Sequence, residues 1–223
     1  MGMLYLVRHG QASLGADDYD QLSDLGVRQS VRLGEYFAAQ GLRFDAVIAG
    51  TLQRHLQTLD GIRRGMGFPG EHLAWSGLNE YDSEAVIRAI HPAQLERPTS
   101  AEAARQHFRL LRQGLAAWID GTTQPEGMPP YPQFVHGVTS ALDHVRANHF
   151  GKTVLVVTSG GPISTAVGHV LGTPAAATIE LNLRLRNTSV TELAFNPKRL
   201  SLHTFNTLPH MDAPDLRGDV TYA

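Results

Sequence analysis

Cysteine is absent from the 223 residues. That excludes disulfide scaffolds, thiol nucleophiles and Cys-ligated zinc or iron–sulfur sites. Lysine is nearly absent. Lys152 and Lys198 are the only two, and the remaining 17 of the 19 basic residues are arginine. Arginine is the better planar fork for phosphate or carboxylate, although such a bias also follows from coding composition. Charge is scarce, at 18% of residues with a net value of −2. This gives no basic field for nucleic acid or a membrane surface, and too little charge for a disordered chain. No apolar run approaches the ~18 residues that span a bilayer. The apolar stretch before Arg8-His9 is too short for a signal-peptide core. The expectation is a cytoplasmic globular protein that engages neither nucleic acid nor membrane. What is present is a 42% hydrophobic chain, long enough for one large domain or one domain with an insertion.

Hydrophobic patterning organises the chain. Residues 3–7 form an apolar run that ends in Arg8-His9-Gly10, as a buried strand would. A helical pattern opens near Leu22-Ser23 and places Val27, Val31, Leu33, Gly34 and Phe37 on one face, with Gly41 as its terminating glycine. Residues 46–49 read as a second strand. Thr51 is the expected N-cap of a helix to about Arg64. Residues 73–75 read as a weak third strand leading to Glu80. Between 81 and 150 the pattern is helical only. Asp82 or Ser83 caps a short helix to Ile90. Thr99 and Glu102 form a capping box, followed by a face of Ala104, Phe108, Leu111, Leu115 and Trp118. After a Pro-rich loop at 127–132, residues 134–149 are helical. Residues 153–157 are the best strand in the chain. Ser159-Gly160-Gly161-Pro162 interrupts the pattern before a helix over 163–171. Residues 189–195 and 200–205 resemble a hairpin around Asn196-Pro197. Strands alternating with helices imply a mostly parallel sheet, whose sites lie beyond the carboxyl ends of the strands.

Those ends carry the reactive residues. His9 follows the first strand, where a neutral imidazole can act as a nucleophile. Arg8 beside it offers a phosphate-matched fork and disfavours imidazolium. Gly10 would let backbone approach a ligand closely. Arg54 falls in the first turn of the helix after the second strand, where an anion binds. Glu80 could protonate a leaving oxygen if its pKa is raised. Ser159 and Gly160 open the turn after the fourth strand, where backbone amides and a hydroxyl can cradle an oxyanion. Each residue alone is equally a structural one. Their ordered placement at successive strand ends suits phosphoryl transfer.

Leu6-Val-Arg-His-Gly-Gln-Ala-Ser13 resembles the signature of the histidine phosphatase superfamily, the phosphoglycerate mutase-like enzymes. Leu22-Ser23 with Gly26 and Gln29, Thr51 with Arg54, Leu78-Asn-Glu80, and residues 154–163 resemble its later segments in order. The resemblance implies a three-layer α/β/α sandwich with a mostly parallel sheet, as one domain over 1–223 with a helical cap inserted at 81–150. It implies a phosphohistidine mechanism on a small phosphorylated substrate, with no metal and no cofactor. His9 would attack phosphorus, Arg8 and Arg54 would hold the phosphoryl oxygens, and Glu80 would protonate the leaving group and then activate water. Gly10, Ser159 and Gly160 would join the phosphate site.

Two departures bear on activity. The family usually carries a second histidine where this chain has Ser159. Loss of a charged donor there could cost on the order of 10²–10³ in rate, so Ser159→His is expected to raise turnover. His55, His136 and His169 are the histidines that could compensate, and no spacing argument brings their rings to the site. Glu80 is followed by Tyr81-Asp82-Ser83 rather than by a mutase-like segment, which favours hydrolysis over phosphate transfer. The expectation is a slow or narrow phosphomonoester hydrolase. The alternatives are a non-catalytic binder of phosphorylated ligands and a phosphomutase. A homodimer is compatible with the sequence. Lys152-Thr153 lacks the leading glycine of a P-loop and precedes its strand. The eleven histidines form no metal-binding spacing. Asp17-Asp18-Tyr19-Asp20 lacks the features of a calcium loop. Arg88, Arg97 and Arg105 could meet acidic groups of a substrate and are read as solvated helix charges.

Overall fold

The computed structural model describes residues 1–13, 20–93 and 101–222. Residues 14–19, Arg97 and the Thr99 end of the capping box lie outside the described residues. Among the described residues six strands form one sheet: β1 (Gly2–Arg8), β2 (Ala46–Ala49), β3 (Leu73–Ala74), β4 (Thr153–Thr158), β5 (Val190–Asn196) and β6 (Arg199–Thr207). Their order is β3-β2-β4-β1-β5-β6. The pairs β3–β2, β2–β4 and β4–β1 are parallel; β1–β5 and β5–β6 are antiparallel.

Among the described residues seven α-helices accompany the sheet: α1 (Asp24–Ala39), α2 (Gln53–Met66), α3 (Ser83–Arg88), α4 (Ala101–Ile119), α5 (Tyr131–Asn148), α6 (Gly160–Leu171) and α7 (Ala175–Arg184). Side chains alternate between the faces of a strand, so the central strands feed two cores. Val7, Val47, Ala49, Leu155 and Val157 pack under α1 and α2 with Leu33, Phe37, Leu59 and Ile62. Leu4, Leu6, Ile48, Val154 and Val156 pack on the opposite face under α5 and α6, with Val138, Leu142, Ile163 and Val167. This is the expected α/β/α layering. A third cluster joins Val86 and Ile87 of α3 to Leu111, Leu115 and Trp118 of α4 and to Ile179 of α7.

Several local expectations are corrected. The buried face of α1 is Gly26, Gln29, Ser30, Leu33, Gly34 and Phe37; Val27 and Val31 lie at its margin because small residues let α2 approach. Thr51 does not cap α2. Leu52 holds the cap position and has no acceptor, so the Gln53 N–H goes to the Asp20 carboxylate at 2.8 Å. Phe108 is exposed, and Leu110 takes its place in the buried face of α4. α5 begins at Tyr131, with Pro132 in its first turn, where its missing N–H has no partner to lose. α6 begins at Gly160, not 163, because Pro162 likewise falls in a first turn. α7 was not expected at all. Gly41 does terminate α1, with φ +66, and Asp82 does cap α3.

Candidate active site

The carboxyl ends of β1, β2 and β4 lie side by side, with β4 in the middle. Arg8 pairs in register with Thr158, so the residues after each strand share one rim. His9 is buried there. Its backbone N–H donates to Thr158 O at 2.9 Å, and its carbonyl accepts from Asn187 Nδ2 at 3.1 Å. The ring Nδ1 lies 2.7 Å from Gly10 O. A carbonyl only accepts, so Nδ1 carries the proton and the neutral ring keeps its lone pair on Nε2. Burial lowers the His9 pKa well below the ordinary value, and Arg8, Arg54 and His55 lower it further. The ring therefore stays neutral, with its Nε2 lone pair unprotonated.

Thr58 ties this strand end to α2. Its hydroxyl accepts the Gly10 N–H at 3.0 Å and donates to Arg54 O at 2.7 Å. Gly10 itself makes room for α1, since a β-carbon there would fall 2.5 Å from Gly26 O. The Arg54 side chain is 9% exposed and pairs with Asp20 Oδ1 at 2.7 Å. Arg8 Nη1 donates to Leu185 O at 2.5 Å and to Tyr222 O at 2.6 Å.

Glu80 comes from the segment between the short 3-10 turn Ser76–Leu78 and α3. It is only partly buried as a residue, but its carboxyl is the enclosed end. Burial raises its pKa; the Gly161 N–H, Arg54, Arg8 and the Tyr81 N–H pull the other way. Arg8 and Arg54 thus act on both His9 and Glu80, which marks the four as one electrostatic unit. The Glu80 carboxylate accepts the Gly161 N–H, at 3.1 and 3.2 Å from its two oxygens. It caps α6 and gains from that helix's positive end.

Ser159 is buried at the start of α6, its Oγ 2.6 Å from His55 Nε2. The His55 ring centroid lies 5.9 Å from that of His9. Of the three histidines the sequence offered as compensation, His55 alone joins the site. His136 and His169 are exposed on α5 and α6. Arg88 pairs with Glu84 on an exposed helix face. Asp20, Thr58 and Asn187 escaped sequence reasoning. Thr58 carried a usable signal, one helical turn after Arg54 on the same face. Among the described residues no group of three or more His, Asp and Glu side chains gathers as a metal site, and no helix is long and apolar enough to cross a membrane.

The fold recurs in solved structures. Phosphoserine phosphatase from Entamoeba histolytica, in complex with phosphoserine, is 20% identical with a TM-score of 0.64, over 95% of this chain and 100% of that one. Mycobacterial glucosyl-3-phosphoglycerate phosphatase is 20% identical with a TM-score of 0.64, over 92% and 98%. Phosphoglycerate mutase from Bacillus anthracis is 19% identical with a TM-score of 0.65, over 93% and 94%. At such identity these likenesses establish the fold. No curated protein matches the sequence. The family model of the histidine phosphatase superfamily, branch 1, matches residues 4–208. The chain belongs to the histidine phosphatase superfamily.

Proposed function

We propose that the protein is a phosphomonoester hydrolase working through a phosphohistidine on His9. The observation that carries this reading is the state of His9. It is buried, neutral, and tied through Nδ1–H to Gly10 O, with no hydrogen bond at Nε2 among the described residues. Arg8 and Arg54 flank it and supply positive charge for the phosphoryl oxygens, so the charge balance of the transfer requires no metal.

In the first step His9 Nε2 attacks phosphorus and the P–O ester bond breaks. The Glu80 proton goes to the departing alkoxide, which the raised pKa of that carboxyl permits. In the second step Glu80, now a carboxylate, takes a proton from water. The hydroxide equivalent attacks the phosphohistidine, releases inorganic phosphate and restores His9. The organic part of the substrate would lie on the Glu80 side, where Tyr81, Trp118, Tyr131, Phe134 and Asn182 line a cleft bordering Gly161. The helical block over 81–150 would then select it. Hydrolysis is favoured over transfer because Tyr81-Asp82-Ser83 follows Glu80 in place of a mutase-like segment.

The test is hydrolysis of p-nitrophenyl phosphate with a chelator present, with His9→Ala alongside, and with acid-labile phosphate trapped on the enzyme. The reading expects turnover that His9→Ala abolishes, and label on the parent protein alone. Equal turnover in both proteins would overturn it.

A further inference from the structure

The site holds a second imidazole, delivered from α2. A serine that opens a helix ordinarily caps it by accepting a backbone N–H two or three residues on. Ser159 makes no such bond. The Gly161 N–H goes to Glu80 instead, and the Ser159 hydroxyl meets His55 Nε2 at 2.6 Å. The fold makes room for this ring. A β-carbon on Gly50, just past β2, would fall 2.2 Å from His55 Nδ1.

The tautomer follows from bookkeeping of partners. Among the described residues, buried His55 Nδ1 has no hydrogen-bond partner. A buried lone pair is left unfilled more readily than a buried N–H. The proton therefore sits on Nε2 and is donated to Ser159 Oγ. Burial and Arg54 push the His55 pKa down to about 3, so the ring keeps this neutral form. With Oγ accepting from His55, the hydroxyl proton of Ser159 is directed elsewhere. Its chain neighbours are tied to the other residues of the candidate phosphate site. Thr158 O holds the His9 N–H, Arg8 Nε lies 3.8 Å from where a Gly160 β-carbon would be, and Gly161 holds Glu80.

We propose that His55 is a positioning residue: it fixes the Ser159 hydroxyl so that its proton is donated to a phosphoryl oxygen as the three oxygens spread into the transition-state plane. No proton is transferred; Ser159 contributes a neutral hydrogen bond, and His55 sets its direction. The proposal rests on the phosphohydrolase reading. It also reverses one expectation from sequence. Ser159→His alone should not raise turnover, because the His55 ring already fills the space beside Oγ. Only the exchange His55→Ala with Ser159→His frees that space.

The test uses p-nitrophenyl phosphate and five variants: His55→Ala, His55→Gln, Ser159→Ala, the Ala–Ala double, and the exchange. Thermal unfolding of each checks that it folds. His55→Ala and Ser159→Ala should each lower kcat by about 10²–10³ with little change in KM, and the double should fall no further than either single. His55→Gln keeps an N–H donor and should recover part of the loss, and the exchange should recover about tenfold or more over His55→Ala. A folded His55→Ala with the parent's kcat, or losses that multiply in the double, would overturn the proposal. If the parent hydrolyses nothing, the hydrolase reading fails by itself, and binding of orthovanadate against inorganic phosphate decides the positioning role. His55→Ala should then weaken vanadate about tenfold more than phosphate. Equal losses, or no vanadate binding by the parent, would overturn it.

Discussion

Glu80 and Gly161 are fitted to each other at contact distance. The Gly161 N–H lies 3.1 and 3.2 Å from the two carboxylate oxygens, and a β-carbon on Gly161 would fall 2.1 Å from Oε1. The backbone of α6 is fixed by its ladder, whereas the carboxyl is the free end of a side chain. Gly161→Ala should therefore move Glu80, together with the Tyr81 ring whose carbons would lie 2.7 Å away, and leave the helix in place. We expect kcat to fall by about 10²–10⁴, the range for losing a general acid, while Tm shifts by only a few degrees. Kinetics and thermal unfolding of the one variant check this. Full activity would mean that the carboxyl is not held where acid catalysis needs it.

Glu80→Gln separates the two steps assigned to that carboxyl. Burial is the largest influence on its pKa and raises it, so the acid form is available to protonate an alkoxide. p-Nitrophenolate is a stabilised anion and needs little protonation. The variant should lose about 10²–10⁴ in turnover of an alkyl phosphate. With p-nitrophenyl phosphate the first step should survive better, and the second should stall without its base. A burst of p-nitrophenol approaching one per site, followed by slow turnover, is the expected trace. Equal losses on both esters with no burst would remove Glu80 from the acid role.

The sequence pointed to a candidate site where buried strands end abruptly in charge. Arg8 and His9 break an apolar run, and Arg54 and Glu80 stand after the next two strands, so a parallel sheet alone brings them to one rim. His55 was not legible in that way. Its place depends on the rotation of α2 about its axis and on Gly50 leaving room for the ring, and neither shows in a hydrophobic pattern. α7 escaped for a related reason. Residues 175–184 are amphipathic over less than three turns, with only Thr178 and Ile179 buried, and they pack on α6 rather than follow a strand. The α1 face differs from the expected one because Gly26 and Ser30 are buried through their smallness, not their hydrophobicity.

Stability should fall as pH drops below about 6.5. His55 and His210 each have a folded pKa of about 3 against an ordinary 6.5, and His9 is lowered as well. His210 accepts or donates one bond, with Thr188 Oγ1 at 2.9 Å, and stands near Arg32. The unfolded chain binds protons that the folded one refuses. The stability contribution is thus whole above 6.5 and is lost as pH falls toward 3, by about 1.4 kcal/mol per pH unit for each histidine. Glu80 has the opposite sign, with a contribution present below its ordinary value of 4.5 and lost as pH rises through its raised pKa. Urea unfolding between pH 7.5 and 5 should show uptake of about 2–3 protons, and His210→Gln should remove about one. A pH-independent midpoint would mean these rings are protonated in the folded state.

Asp20 serves α2 and Arg54 with one carboxylate. Oδ2 accepts the Gln53 N–H at 2.8 Å and Oδ1 meets Arg54 Nη1 at 2.7 Å. Leu52 supplies no side-chain acceptor at the cap, so Asp20 provides both the missing cap and a counter-charge for a guanidinium that is 9% exposed. Asp20→Asn keeps the shape and an acceptor but removes the charge. Because Asp20 is itself 29% exposed, the cost should be about 1–2 kcal/mol, below that of breaking a fully buried pair. Inorganic phosphate bound at Arg54 would return negative charge to the same place. The Tm gap between Asp20→Asn and the parent should therefore narrow as phosphate is raised. A constant gap would place bound phosphate away from Arg54. A widening gap would show that the carboxylate is needed to aim the guanidinium at its anion.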